Sequence, residues 1–141
     1  MIVLDTSGLL AAIDASQGQH RAAARALREA SPPRLLSPFV LAELDYLLMT
    51  RVNAIAEVAL LAEVARGAYQ LEPFEAADVA SATEVLQRYP DLGLGLADAS
   101  VVVLAARHGT HDLLTLDERH FRAVPALDGG SFRLLPADSE R

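Results

Sequence analysis

Cysteine is missing from this 141-residue chain, which excludes disulfides, thiolate zinc sites and a cysteine nucleophile and fits a reducing compartment. Lysine is missing too. The Lys+Arg count of 12 is made up entirely of arginines, so chemistry that depends on a lysine is also excluded. Positive charge is scarce overall: 12 basic against 19 acidic residues leaves a net charge of −7, which counts against a nucleic-acid binder held mainly by phosphate neutralisation. Long apolar runs are absent as well. Those at Val58 to Ala65 and Val101 to Ala106 fall far short of the roughly 20 residues of a spanning helix. The residues Met1-Ile2-Val3-Leu4-Asp5 go straight into an apolar run with no basic n-region, so nothing here resembles a signal peptide, and the expected location is cytoplasmic.

What remains is globular. A hydrophobic fraction of 52% with 22% charged residues predicts an ordered core. The length predicts one domain over 1–141 that buries roughly two thirds of its unfolded surface. Ile2 to Asp5 reads as a buried strand that turns through Thr6-Ser7-Gly8 into a helix from about Leu9. An alanine-rich helix over Gln19 to Ala30 is stopped by Ser31-Pro32-Pro33. Arg34-Leu35-Leu36 is a second strand, and Ser37-Pro38 opens a helix to Thr50 or Arg51. Further helices are expected over Ala54 to Arg66, Ala76 to Tyr89 and Leu96 to His108, and further strands over Tyr69 to Phe74, Leu113 to Leu116 and Phe132 to Leu135. Strands separated by helices predict a three-layer α/β fold with a mostly parallel central sheet, and the tail 137–141 is expected to be loose.

Ligands bind such sheets beyond the carboxyl ends of the strands. Asp5 and Asp117 stand at two such ends. Glu43 follows Val40 by three and precedes Leu47 by four, within or beside the apolar stripe of its helix, where a carboxylate needs a metal or an arginine as partner; Asp45 should face solvent. Asp98 opens the Leu96 to His108 helix after the Gly93-Leu94-Gly95 approach. There it can serve chemistry or simply favour the helix start. Carboxylates gathered without histidine at ligand spacing make an oxygen-only site suited to Mg²⁺, with Mn²⁺ able to substitute. Thr6, Ser7 and Thr115 flank the strand-end acids and can orient carboxylates or waters, or cap turns. His20, His108, His111 and His120 read as surface residues without a catalytic part. With Arg107, Arg119 and Arg122, the last three make the C-terminal third locally basic, a partial answer to the acidic balance.

The series Ile2-Val3-Leu4-Asp5-Thr6-Ser7, Ala42-Glu43-Leu44, Gly95-Leu96-Ala97-Asp98-Ala99-Ser100 and Leu114-Thr115-Leu116-Asp117, with Arg119-His120-Phe121, resembles PIN-domain ribonucleases, and within them the VapC toxins of toxin-antitoxin pairs. The resemblance implies a Mg²⁺-dependent endoribonuclease that cuts structured RNA, such as tRNA or rRNA, to inhibit translation. It also implies a homodimer neutralised by a cognate VapB-type antitoxin, and metal ligation by Asp5 and Asp98 with Glu43 and Asp117 completing the site. An excess of apolar residues at Leu47, Leu48 and Met49 points to the same dimer.

Two other readings share parts of the pattern. An aspartate after the first strand is also the phosphoacceptor of dehalogenase-like phosphatases and receiver domains, but the phosphatase pattern wants an acid where Ser7 stands, and both need the missing lysine. A non-catalytic interaction module using the same acids is the second.

Overall fold

The computed structural model describes residues 1–140. Its strands are β1 (Ile2–Leu4), β2 (Arg34–Leu36), β3 (Gln70–Leu71), β4 (Asp112–Leu114) and β5 (Arg133–Leu135), and its helices α1 (Thr6–Ile13), α2 (His20–Glu29), α3 (Pro38–Leu47), α4 (Ala54–Ala65), α5 (Ala76–Arg88), α6 (Leu96–His108) and α7 (Glu118–Ala123). The strands form one five-stranded sheet in the order β3-β2-β1-β4-β5, and every pairing is parallel. Helices cover the sheet, so Ile2, Val3, Leu4, Leu35, Leu36, Leu113 and Leu114 are all buried. That is why these strands read as unbroken apolar runs instead of alternating ones.

Register then sets the chemistry. Leu4 pairs with both Leu36 and Leu114, and Leu36 pairs with Leu71, so the next residues, Glu72, Ser37, Asp5 and Thr115, form a polar row along the carboxyl edge. All four are buried. Ser37 caps α3, its Oγ accepting the Phe39 N–H at 3.1 Å, with Pro38 in the first helical turn. The same hydroxyl lies 2.6 Å from Ser100 Oγ, whose own proton goes to the Ala97 carbonyl at 2.7 Å. The start of α3 is thereby tied to the start of α6.

Several boundaries differ from the sequence expectations for physical reasons. The first helix begins at Thr6, because Asp5 is extended and the turn closes at once with Leu9 N–H donating to the Asp5 carbonyl. The helix expected through Thr50 or Arg51 widens into a π turn over Leu48–Val52, and Asn53 Oδ1 caps α4 by accepting the Ala56 N–H at 2.8 Å. The third strand shrinks to two exposed edge residues. Six-residue α7 was too short to show a period. Within the tail expected to be loose, Asp138 is held: it is buried and accepts from Arg122 Nη2 at 2.9 Å and from the Leu134 N–H at 2.9 Å, while Ser139 and Glu140 are exposed. Arg141 lies outside the described residues. No helix is long and apolar enough to cross a membrane, among the described residues.

Candidate active site

The chain leaves β1 toward β2 on one side and later returns to β4 on the other, which opens a crevice at the carboxyl ends of β1 and β4. Asp5 lies in it, buried. Its Oδ2 accepts from Thr115 Oγ1 at 2.7 Å and from Ser7 Oγ at 3.0 Å. Each hydroxyl is held from behind by a backbone donor: the Asp117 N–H gives to Thr115 Oγ1 at 2.9 Å and the Leu116 N–H gives to Ser7 Oγ at 2.9 Å. Both hydroxyl protons are thus turned toward the carboxylate. Burial pushes the Asp5 carboxyl up from its ordinary 3.8 to about 6; the Thr115 and Ser7 hydrogen bonds pull it back, and the Asp98 carboxylate adds to the rise.

Gly8 makes this arrangement possible. A Cβ there would lie 2.3 Å from the Leu114 carbonyl oxygen and 2.7 Å from Thr115 N, so α1 rests its first turn directly on the end of β4. Only a residue without a side chain allows that approach. It is also what carries the Ser7 hydroxyl to the Leu116 N–H.

Asp98 sits in the first turn of α6, where its Oδ2 accepts the Gly95 N–H at 3.0 Å. Asp117 caps α7: its Oδ1 accepts the His120 N–H at 3.1 Å. His120 then lies between the two acids, with Nδ1 2.7 Å from Asp117 Oδ2 and 3.9 Å from Asp98 Oδ2. Its other nitrogen, Nε2, is 2.7 Å from the Leu92 carbonyl. Gly93, at φ 69°, turns the segment before α6 back so that this carbonyl faces the ring. Asp98, Asp117 and His120 each offer one ligand atom, all within 4.8 Å of one another. The His120 Nδ1 is buried and, for all its closeness to Asp117, makes no contact of hydrogen-bond geometry among the described residues. Two carboxylates converging with a buried ring nitrogen that lacks hydrogen-bond geometry are a donor set that fits a divalent cation.

Asp5, Asp98 and Asp117 are therefore brought to one crevice, but Glu43 is not joined to them by any hydrogen bond or ion pair. It is exposed on α3, with Val40 and Leu44 on the buried stripe. It therefore lies beside the apolar face, at its exposed rim, and not within it, and no arginine pairs with it among the described residues. Asp45, expected to face solvent, is half-buried and holds the Glu57 carboxyl above its ordinary value. Ser7 and Thr115 orient Asp5, whereas the buried Thr6 hydroxyl finds no hydrogen-bond partner among the described residues. His120 was missed. The signal available was its spacing, three residues after Asp117, which puts both on one face of a helix too short to register as periodic.

The basic C-terminal third also reads differently in three dimensions. Arg107 is engaged by Glu72, Asp78 and the Pro73 carbonyl, Arg122 by Glu118 and Asp138, His108 by Glu72 and His111 by Asp128. Arg119, beside the crevice residue His120, is exposed and carries no ion pair among the described residues.

The sequence pattern of the family described as PIN domain matches residues 2–127. The chain belongs to the PIN domain family. It is 43% identical over 135 residues to Ribonuclease VapC26 of Mycobacterium tuberculosis, covering 96% of this chain and all of that protein. The crystal structure of Mycobacterium tuberculosis VapC20, described as a Sarcin-Ricin loop cleaving toxin, superposes with a TM-score of 0.77 at 26% identity over 83% of this chain and 90% of that one. The FitAcB structure from Neisseria gonorrhoeae shares the fold, with a TM-score of 0.55 at 19% identity over 77% of this chain and 83% of that one. The α/β, PIN-like architecture expected from the sequence is thus the one observed.

Proposed function

We propose that this PIN-domain protein is a metal-dependent endoribonuclease acting as the toxin of a VapBC-type pair, cutting structured RNA so as to inhibit translation. The observation that carries the reading is the convergence of Asp5, Asp98 and Asp117 at the β1/β4 crevice, in a chain 43% identical to a ribonuclease. Asp98 and Asp117 would hold Mg²⁺, or Mn²⁺ in its place, with Asp5 oriented toward it by Thr115 and Ser7. The cation supplies polarisation of the phosphodiester and a more acidic water. Asp5 contributes a carboxylate fixed in direction by two hydroxyls. Glu43, exposed on α3, would complete the site as the fourth acid, and the exposed Arg119, next in the chain to His120, would meet an RNA phosphate.

An exposed apolar face supports a protein partner. Tyr46 of α3, Met49 of the π turn and Ile55 and Val58 of α4 are all exposed, more apolar surface than one helical hairpin ordinarily shows to water. A cognate VapB-type antitoxin, or a second copy forming a homodimer, would cover it. Met49 keeps the exposure expected of it, whereas Leu48 is buried and Leu47 half-buried, which narrows the patch that the sequence suggested. The test is direct: purified protein incubated with a structured RNA should cleave it in Mg²⁺ and stop on addition of EDTA. A preparation that binds the RNA but never cuts it under any divalent ion favours the non-catalytic module.

A further inference from the structure

We propose that His120 is itself a ligand of the cation, through Nδ1 and together with Asp98 and Asp117, making a mixed nitrogen and oxygen site that prefers Mn²⁺ to Mg²⁺. The inference rests on the reading of the crevice as a metal site. A set of carboxylates alone favours hard, strongly hydrated Mg²⁺, whereas an imidazole nitrogen shifts affinity toward first-row transition ions.

The geometry of the ring argues for ligation. Nε2 is 2.7 Å from the Leu92 carbonyl, an acceptor only, so Nε2 carries a proton, and in the neutral ring the lone pair is on Nδ1. That lone pair faces two carboxylates, 2.7 Å from Asp117 Oδ2 and 3.9 Å from Asp98 Oδ2. Three electron-rich atoms facing one another without a proton between them call for a cation. A metal-bound histidine almost always gives its other N–H to a carboxylate or backbone carbonyl, which fixes ring orientation; Leu92 occupies that position. The opposite arrangement, a charged ring clamping both acids, would aim an Nδ1–H at a carboxylate. Instead the buried Nδ1 has no partner of hydrogen-bond geometry.

Calorimetric titration of the full-length protein with MnCl₂ and MgCl₂, alongside electron spin echo envelope modulation of the Mn²⁺-loaded form, tests this. We expect directly coordinated ¹⁴N in the echo modulation, and Mn²⁺ bound more tightly than Mg²⁺. His120→Gln, whose amide can still donate to Leu92, should lose the ¹⁴N coupling and about tenfold or more in Mn²⁺ affinity, with a smaller loss for Mg²⁺ and a melting temperature in EDTA close to that of the unaltered protein. Mn²⁺ bound without ¹⁴N coupling overturns the inference and leaves the metal site standing. Tighter Mn²⁺ binding by His120→Gln also overturns it, because removing a charged clamp would deepen the negative potential. No binding of either ion to the unaltered protein removes both this inference and the metal site beneath it. Should His120→Gln fail to fold, the echo modulation of the unaltered protein decides alone.

Discussion

Replacing Asp5 by asparagine should make the metal-free protein more stable while abolishing RNA cleavage. The sign follows from the raised carboxyl. With its folded value near 6 against an ordinary 3.8, the folded state binds the proton more tightly, so the stability this group contributes is fully present below pH 3.8 and is lost as pH rises through about 6. A rise from 3.8 to about 6, at 1.36 kcal/mol per pH unit, corresponds to about 3 kcal/mol lost by neutral pH. Asparagine carries no charge to desolvate, and its carbonyl can accept the Thr115 and Ser7 hydroxyls that now give to Oδ2. Its amide group inherits the remaining corner of the site, so about 1 to 3 kcal/mol is the expected gain. For a domain of this length that is a rise in melting temperature of about 3 to 12 °C. Thermal unfolding in EDTA from pH 8 to pH 4 should show the variant ahead at pH 8, with the difference shrinking below pH 6 as the unaltered carboxyl takes up its proton. Added Mg²⁺ should raise the melting temperature of the unaltered protein only. A variant less stable than the unaltered protein at pH 8, or a difference that acid does not reduce, would refute the electrostatic reasoning.

Other consequences concern residues around the acids. Gly8→Ala forces a Cβ to 2.3 Å from the Leu114 carbonyl, and the resulting shift of α1 should cost about 3 kcal/mol and most of the cleavage rate, read by denaturant unfolding and RNA assay. Glu43→Gln should change stability by less than about 0.5 kcal/mol, because the side chain is exposed and unpaired, yet should abolish cleavage; a loss of about 3 to 5 kcal/mol would instead signal a buried ion pair. Arg119→Ala should leave melting unchanged and lower the salt dependence of RNA binding by about one phosphate contact.

The fold was legible where one residue type had one physical explanation. The unbroken apolar strands at Ile2 to Leu4 and Leu113-Leu114 required a sheet covered on both faces, and Ser37-Pro38 marked a helix start that the structure keeps. Asp5, Asp98 and Asp117 were legible because strand ends and helix starts have sequence signals. His120 was not, since its place depends on the Leu92 carbonyl, 28 residues earlier in the chain, and on a helix of one and a half turns. Whether Glu43 lay within the apolar stripe or beside it was not legible, because spacing from Val40 and Leu47 gives only an angle around the helix, and Leu48, not Leu47, carries the buried stripe onward. The paired arginines show the same limit: charge density along the chain says nothing of the acids that Glu72, Asp78 and Asp138 bring from elsewhere.

The central claim is that the Asp5, Asp98 and Asp117 crevice hydrolyses RNA with a cation-assisted water and not with the ribose 2′-hydroxyl. The chemistry of the product ends tests it most directly. A 5′-labelled and a 3′-labelled structured RNA, cut by the protein in Mg²⁺ or Mn²⁺, should yield fragments with 5′-phosphate and 3′-hydroxyl ends. EDTA or the Asp98→Asn substitution, which preserves the helix-start hydrogen bond to Gly95, should yield none. Fragments ending in 2′,3′-cyclic phosphate, or undiminished cutting by Asp98→Asn, would contradict the account.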